Sequence, residues 1–412
     1  MYRRRLLALA VALAGCSDRS TSTPTPASPT DEDAGADEVG YTYLRANGNR
    51  YVEGAGRLPD GDAFDVSLPT TPAWVVGVPD DGATLWVTVL DDGRVRAFRL
   101  GAAGVTDAGR VTTTGNGPPL LVFDGDAPRV VNGGSRLSHP VPVEGGSAVV
   151  DRGGALALPG GGVDVDVLTD ARIVKHGGRL FVFARPTNAY DHGVLGDDTE
   201  AGGVAIVDPA RGVVDRVVAA SEGAVFEGIA PIVTDVDGDG DAEILVTESD
   251  AETGSRLVAF ETDGTVAAAG PPVGTGYRWR HQLAVAPFGP DGQREAAAVK
   301  TPHLDGVAEF YRADGEDLQI VATDAGYASH RIGSRNLDMA AAGDFDGDGR
   351  VELLVPDGTG ERLVAVRREG GDARAVWTVP VGGRLATNVA AVRGARGVAV
   401  CAGHAGGLRF WR

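Results

Sequence analysis

The sequence predicts an all-β fold, a β-propeller of seven four-stranded antiparallel blades, and three observations lead to it. The 412 residues include 61 glycines but only 11 phenylalanines and 2 methionines, which favours short strands and tight turns over helical bundles. Segments that alternate polar and apolar residues recur along the chain, and such alternation describes a strand with one buried face. Their spacing of about fifty residues suits one four-stranded blade per unit. Rings of six or eight blades are the neighbouring alternatives.

The seven units are defined by their predicted third strands, which begin near residues 94, 155, 204, 256, 306, 362 and 408. The last unit stops at Arg412, directly after its third strand, so its sheet lacks an outer strand. We expect the N-terminal residues 41–68 to supply that strand and close the ring, because closure removes exposed sheet edges. Residues 41–412 are accordingly expected to form one propeller domain.

The first forty residues predict export. Three arginines at residues 3–5 precede an apolar stretch, residues 6–13, that is far shorter than the ~20 residues of a membrane-spanning helix. The stretch ends in Leu-Ala-Gly followed by Cys16, which resembles the lipobox of prokaryotic lipoproteins. The resemblance implies that residues 1–15 are a signal peptide and that Cys16 carries a lipid. An ordinary signal peptide with a coincidental cysteine is the alternative, and the arginines suit either general secretion or twin-arginine export.

Residues 16–40 are rich in Ser, Thr, Pro and Asp and lack apolar periodicity, so we expect a flexible tether. Together these features predict a protein held by a lipid at the cell envelope, in the outer membrane, periplasm or cell surface. The formal net charge of -19 argues against nucleic acid as a partner, because phosphate binding requires a clustered basic face. We expect a monomer. Cys401 lies in a predicted core strand and is expected to be a small buried residue.

Two acidic loops are the strongest chemical signal. Residues 235–246 read DVDGDGDAEILV, and residues 344–355 read DFDGDGRVELLV. Oxygens at alternate positions can surround a hard cation, and glycine at position six allows a sharp turn. An EF-hand is excluded because position 12 is a valine in a strand rather than a bidentate acid before a helix. The predicted metal ligands are Asp235, Asp237, Asp239, Asp241, Glu243, Asp344, Asp346, Asp348, Arg350 and Glu352, with Asp241 and Arg350 contributing main-chain carbonyls.

These loops resemble the FG-GAP/VCBS calcium repeats of integrin-α-like β-propellers. The resemblance is clear over residues 225–412 and extends to the first half only through strand spacing. It implies that each loop joins the first and second strands of a blade and holds a structural Ca²⁺, two ions in all. A related stretch at residues 287–299 keeps only Asp291 and Glu295 and is expected to be empty. A solvated acidic turn without metal is the alternative for each loop.

A set of polar and aromatic residues is expected on the opposite face of the ring. These residues lie in turns between second and third strands or shortly before first strands, which line the central channel of a propeller. A concave polar ring of this kind suits a ligand. The candidates are Tyr190, His192, Glu227, Arg278, Trp279, Arg280, His281, His303, His330, Arg335, Asn336, Asp338, Asn388 and His404. The alternative is that they satisfy main-chain carbonyls at blade junctions. A metal site built from the histidines is less favoured, because no two share a local ligand spacing.

Catalytic motifs give little support for an enzyme. The sequence has no Gly-x-Ser-x-Gly, no Gly-Lys-Ser/Thr and no His-Glu-x-x-His. We therefore predict a non-catalytic binding or interaction module for a protein or glycan. The alternatives are an extracytoplasmic enzyme acting on carbohydrate through the polar face, as a lyase, hydrolase or quinone-dependent dehydrogenase, and a purely structural surface protein.

Overall fold

The computed structural model describes residues 39–412, apart from residues 110, 112–116, 124–126, 136, 191, 194 and 197. The predicted signal peptide, Cys16 and nearly all of the predicted tether lie outside these residues. All elements of the described residues are β-strands, which confirms the all-β class. Over the same residues, no helix has the length and apolar character needed to span a membrane.

In chain order the strands are β1 (Val39–Gly40), β2 (Tyr51–Ala55), β3 (Ala63–Ser67), β4 (Pro72–Asp80), β5 (Ala83–Leu90), β6 (Val95–Gly101), β7 (Gly104–Gly109), β8 (Pro119–Val122), β9 (Arg129–Asn132), β10 (Val141–Val143), β11 (Gly146–Val150), β12 (Ala155–Leu158), β13 (Gly161–Asp166), β14 (Val174–His176), β15 (Arg179–Thr187), β16 (Glu200–Asp208), β17 (Val213–Ala219), β18 (Val225–Phe226), β19 (Ile232–Thr234), β20 (Glu243–Asp250), β21 (Gly254–Phe260), β22 (Val266–Ala269), β23 (Arg280–Ala286), β24 (Glu295–Lys300), β25 (Val307–Asp314), β26 (Asp317–Ala325), β27 (Ala341–Asp344), β28 (Glu352–Pro356), β29 (Arg362–Glu369), β30 (Asp372–Pro380), β31 (Ala390–Gly394), β32 (Gly397–His404) and β33 (Gly407–Trp411).

These strands form antiparallel units of four, numbered here from the N-terminus. Units one to six are β4–β7, β10–β13, β14–β17, β19–β22, β23–β26 and β27–β30. Unit seven combines β31, β32 and β33 with β3. The predicted third strands are confirmed, because they coincide with β6, β12, β16, β21, β25, β29 and β33. Alternating sequence was sufficient to locate them because a third strand has a partner strand on each side and a buried face.

A three-stranded sheet, β1-β8-β9, lies in the ring between units one and two. Leu121 and Val130 of this sheet pack in one apolar cluster with unit one. Leu120 packs in another cluster, with units two and three. The expected count of seven blades is therefore not confirmed, because this smaller sheet occupies a place of its own.

The N-terminal strand β3 completes the sheet of unit seven, as the sequence predicts. Strand β3 pairs antiparallel with β33, and Phe64 lies opposite Phe410. Phe410 also packs against Trp86 of unit one in a shared apolar cluster that includes Cys401, which is fully buried. Burial of large apolar side chains between units seven and one joins the two ends of the chain into one core.

The expectation that all of residues 41–68 complete the last unit is correct for β3 only. Residues 41–55, called the inner segment here, run along the innermost strands instead. The Asn47 carbonyl accepts a hydrogen bond from the Val233 amide at 2.9 Å, and the Asn49 side chain exchanges two hydrogen bonds with the Val285 backbone at 2.8 and 3.0 Å. Strand β2 then pairs in parallel with β27. The inner segment thus occupies the central channel. A ligand site at the channel mouth would require the channel to be open.

Candidate functional site

Both acidic loops join the first and second strands of a unit. Residues 235–242 connect β19 to β20, and residues 345–351 connect β27 to β28. In each loop the three aspartates at positions one, three and five bring carboxylate oxygens within 4.8 Å of one another. The amides of Asp241 and Arg350 at position seven donate to the position-five carboxylates at 2.8 and 3.0 Å. The face of the ring that carries these loops is called the acidic-loop face below.

The glutamate at position nine gives each loop an unsatisfied oxygen. Glu243 and Glu352 are fully buried, and one oxygen of each accepts a backbone hydrogen bond, from Val236 at 2.6 Å and from Phe345 at 2.9 Å. The other oxygen, Oε1, has no hydrogen-bond partner in either residue. Burial raises the pKa of Glu243 to about 7 and that of Glu352 to about 8. A buried carboxylate oxygen without a partner is costly, and a hard cation among the aspartates would satisfy it.

The two loops differ in the residue that lies across from position nine on the third strand. Arg367 is paired with Glu352 in the strand register, and its Nη1 lies 3.6 Å from Asp346 Oδ2 and 3.7 Å from Glu352 Oε1. In unit four the corresponding residue is Glu261, one position beyond the pair of Ile244 with Phe260. Burial and the loop aspartates raise the pKa of Glu261. Across from position nine the second loop thus has a cation and the first has a further acid, while Arg294 of unit five pairs with Asp235 at position one of the first loop.

The related stretch in unit five has its charge neutralised by arginine. Glu295 is fully buried, with Arg312 on one oxygen and Arg368 on the other at 2.9 Å. The loop aspartates that would need a metal are missing at positions one and three, where Pro287 and Gly289 stand.

A second group of predicted residues converges on the opposite side of the ring. The turns between second and third strands lie there, and this side is called the histidine face below. His303 Nε2 lies 2.9 Å from His330 Nε2, and Trp279 stacks on His281 with ring centroids 4.9 Å apart. The Trp279 ring also meets His330 edge-on at 5.0 Å. His303 lies in a turn of unit five, and His330 precedes the first strand of unit six. The packing of these two units therefore brings the two histidines together.

Next to these rings lies a histidine–carboxylate pair. His192 Nδ1 makes a short hydrogen bond with Glu227 Oε1, and the Ser249 hydroxyl donates to the other Glu227 oxygen at 2.5 Å. Glu227 is fully buried, whereas the His192 side chain is 18% exposed. The rings of Tyr190 and Tyr277 pack against His192 at 5.9 and 5.8 Å. The carboxylate therefore orients an imidazole that remains open to solvent.

Burial keeps the imidazoles of His281, His303 and His330 neutral. It lowers the pKa of His330 to about 3, and it lowers the pKa of His281 well below the usual value. The pKa of His303 is lowered by burial and further by His192, so these two histidines interact. At neutral pH these three histidines therefore present uncharged ring nitrogens rather than cations.

A cavity of about 300 Å³ opens beside His303 and His330. Its rim carries Leu304 and Ile332, which are 72% and 73% exposed. The charged side chains in its wall are Arg331, Asp305 and Arg384. The sequence-based candidates omit Leu304, Ile332 and Arg384. Leu304 and Ile332 could have been found, because each is an isolated large aliphatic residue in a polar turn, directly after His303 or Arg331.

Two predicted candidates hold the inner segment instead of facing a ligand. Asp338 is fully buried and pairs with Arg50 at 2.8 Å and with Arg172. Asn388 donates to the Val75 carbonyl at 2.7 Å and to the Thr42 carbonyl at 3.3 Å. The cavity remaining at the centre measures about 10 Å³, room for about one water. The expected single ring of residues around a channel mouth is wrong because the chain itself fills the channel.

Most other candidates that do not join the convergent group make structural contacts. Arg280 is buried against Glu309 and donates to the Ser255 carbonyl at 2.6 Å, which ties unit five to unit four. Arg335 pairs with Asp170, and Asn336 donates to the Ala73 carbonyl at 3.3 Å. His404 packs on the Gly382 and Gly383 backbone of unit seven, and Arg278 is exposed. For Arg280, Arg335 and Asn336 the alternative of carbonyl and charge satisfaction at blade junctions is the better description.

No protein-family model matches this chain, and no curated protein matches it. Among solved structures it is similar to the quinohemoprotein alcohol dehydrogenase ADHIIG from Pseudomonas putida HK5, with a TM-score of 0.53 and 9% identity over 91% of this chain and 80% of that chain. It is also similar to the quinohemoprotein alcohol dehydrogenase from Comamonas testosteroni, with a TM-score of 0.51 and 10% identity over 90% of this chain and 79% of that chain. At such identities the likeness concerns the fold alone, and it confirms that the chain folds as a β-propeller.

Proposed function

We propose that this protein is a lipid-anchored β-propeller of the cell envelope that binds a small ligand without converting it. The observation that carries the proposal is the 300 Å³ cavity on the histidine face, walled by His303 and His330. A volume of this size is at the lower end of the range for small-molecule sites. The site is lateral, between units five and six, since the inner segment fills the channel.

The cavity's chemistry favours an anion that has an apolar part. Leu304 and Ile332 are exposed aliphatic side chains at its rim. Covering them with an apolar part of a ligand would lower the free energy of the complex. Arg331 and Arg384 supply positive charge against the single acid Asp305. The neutral histidines add hydrogen-bonding nitrogens. An acidic sugar or a short fatty acid suits these groups, and a small carboxylate of this kind takes the place of the protein or glycan ligand expected from the sequence.

Two calcium ions belong to the same proposal. The three aspartates of each loop, with the unpartnered Oε1 of Glu243 or Glu352, form an oxygen-rich set that suits Ca²⁺. Bound calcium would neutralise carboxylates that otherwise repel one another and would stiffen the connection between first and second strands. The FG-GAP/VCBS resemblance supports this role, which is structural and remote from the histidine face.

Ligand binding is tested by calorimetry with galacturonate and hexanoate as probes, in buffer containing Ca²⁺. We expect one of them to bind with a single site, and Leu304→Asp to weaken binding at least tenfold by placing a negative charge at the rim. Val266→Asp is the matched control, because Val266 is an exposed aliphatic residue (44%) on β22 of unit four. Absence of binding by both probes, or equal loss in the two variants, would contradict the proposal.

The lipid anchor is tested separately. Metabolic labelling with a radioactive fatty acid should label the wild-type protein in its bacterial host but not Cys16→Ser, which should also leave the membrane fraction. Labelling that survives this substitution would refute the anchor while leaving the ligand site in place.

A second candidate function is favoured by the pair of His192 and Glu227. A buried carboxylate that orients a partly exposed imidazole is an arrangement used in general base catalysis. It suits the hydrolase or lyase alternative, with His192 removing a proton and Glu227 stabilising the imidazolium. Product formation from an acidic oligosaccharide that is lost in His192→Gln would establish this function, and binding without product would exclude it.

The quinone-dependent dehydrogenase alternative is supported by the likeness of fold to two quinohemoprotein alcohol dehydrogenases, at 9% and 10% identity. The inner segment runs through the centre of the ring, where a cavity of about 10 Å³ remains among the described residues. We therefore derive no redox step.

A further inference from the structure

We propose that His303 and His330 together bind a divalent transition-metal ion, with open coordination positions that face the cavity. Their Nε2 atoms point at one another at 2.9 Å, although the residues come from different units of the ring. The ion site rests on the proposed function, since both histidines belong to the wall of the ligand cavity. It would give the anionic ligand a positive centre to bind.

The distance between the two nitrogens suits a common metal ion. Metal–nitrogen bonds of ~2.0–2.1 Å place two cis ligands at a right angle about 2.9 Å apart, and at a tetrahedral angle about 3.3 Å apart. The observed 2.9 Å agrees with the first geometry and needs a shift of only a few tenths of an ångström for the second. Imidazole nitrogens prefer Zn²⁺, Cu²⁺ or Ni²⁺ over calcium, so this site differs in chemistry from the acidic loops.

The surroundings prepare the imidazoles as ligands. His330 Nδ1 lies 3.2 Å from the Ser329 hydroxyl, so a partner on the other ring nitrogen holds the ring in place. These features would also accompany a direct hydrogen bond between two neutral rings, so the experiment must separate the two cases.

His281, whose ring lies 5.7 Å from that of His330, and His192 are the further imidazoles of the histidine face. The arrangement of His192 suits a metal ligand. Its Nδ1 is held by Glu227, which leaves Nε2 available, and a carboxylate behind a histidine is the usual support of a metal ligand. Among the described residues, however, groups of three ligand atoms within 4.8 Å occur only in the two acidic loops. The proposed site therefore has two protein ligands, and the remaining positions belong to water or ligand.

The test is a Zn²⁺ titration by calorimetry of the full chain without a histidine tag, with the acidic loops saturated by Ca²⁺. We expect one Zn²⁺ per chain, and at least tenfold weaker binding in His303→Ala and in His330→Ala. His404→Ala is the matched control and should bind normally, because His404 lies in the corresponding turn of unit seven. Failure of wild-type protein to bind Zn²⁺, or unchanged binding in His303→Ala, would overturn the proposal.

A second measurement on wild-type protein guards against variants that fail to fold. Co²⁺ added to the calcium-loaded protein should produce visible absorption bands of a nitrogen-ligated ion, and their absence would overturn the site. Galacturonate and hexanoate binding measured with and without Zn²⁺ separates this proposal from the proposed function. Binding that is independent of Zn²⁺, with no Zn²⁺ bound, refutes only the ion site, whereas Zn²⁺ binding without probe binding refutes only the ligand assignment.

Discussion

The acidic loops of units four and six share their sequence pattern and geometry but not their charge balance. Both place three aspartates within 4.8 Å and both leave Oε1 of the position-nine glutamate without a hydrogen-bond partner. Across from that glutamate, unit four has Glu261 and unit six has Arg367. We predict that this position on the third strand changes the calcium affinity of the loop, with Arg294 at Asp235 as a further charge in unit four.

Unit five extends the comparison to a third case. Arg312 occupies the position of Arg367, one step beyond the pair of Ala296 with Tyr311, and it ion-pairs with Glu295. Arg368 of unit six completes the neutralisation. The arginine contacts differ among the three units: Arg294 pairs with Asp235 in unit four, Arg367 with the loop aspartates in unit six, and two arginines with the buried glutamate in unit five. We predict that the requirement for calcium is lowest where arginines neutralise the position-nine glutamate.

The largest expected effect on the free energy of unfolding comes from removing an arginine that neutralises buried Glu295. Arg368→Met should destabilise the protein by about 3–5 kcal/mol, because it leaves buried Glu295 with one partner fewer. The double variant Arg368→Met with Glu295→Gln should recover much of this loss, since no buried carboxylate then remains and the Arg312 side chain is 36% exposed to solvent. Urea denaturation measures both, and a single variant that loses less than about 1 kcal/mol would contradict the account.

Removal of calcium should give the next largest effect. A site saturated at 100 times its Kd contributes about 2.7 kcal/mol to the free energy of unfolding, so a chelator should lower Tm clearly. The calcium-dependent part of the shift should be largely lost in Asp237→Asn with Asp239→Asn. It should be affected less by Asp346→Asn with Asp348→Asn, because Arg367 already ion-pairs with those aspartates. Equal effects from the two loops would show that Arg367 does not matter.

Exchange of the third-strand residues sharpens the comparison further. Glu261→Arg should weaken calcium binding in unit four about tenfold, and Arg367→Glu should strengthen it in unit six by a similar factor, which corresponds to about 1.4 kcal/mol for each. Calorimetric titration with Ca²⁺ resolves both changes. An unchanged affinity in both variants would contradict the role of this position.

The smallest effect concerns pH in the calcium-free protein. Burial raises the pKa of Glu243 to about 7 and of Glu352 to about 8, so each protonated group favours the folded state below these values. That contribution is fully present below pH ~4.5 and is lost as pH rises through the folded pKa, with at most about 1.4 kcal/mol per pH unit for each group. Stability without calcium should therefore fall between pH 6 and pH 8. Glu352→Gln should flatten the upper part of the curve in denaturant melts, and saturating Ca²⁺ should remove the trend.

Local patterns were sufficient for much of the fold and for the acidic loops. Period-two alternation located the third strand of every four-stranded unit, and the missing outer strand of unit seven predicted the closure by β3. The aspartate spacing located both loops, because turn geometry depends on adjacent residues, and the FG-GAP/VCBS resemblance implied their place between first and second strands. Convergence of Trp279, His281, His303 and His330 on one face was also predictable, since turns of the same kind lie on one side of a propeller.

Contacts between distant residues decided the rest. Asn49 meets Val285 across 236 positions of the chain, and no local pattern reveals that residues 41–55 fill the channel. Strand register decides that Glu261 lies across from Glu243 and that Arg367 lies across from Glu352. The approach of His303 to His330 depends on how two units pack. The sequence by itself determined the repeating strands, the closing strand and the acidic loops, because their signals lie within a few residues. Only the tertiary structure decided which charges face each other, where the cavity lies and what occupies the centre, because these follow from packing of units that are far apart in the chain.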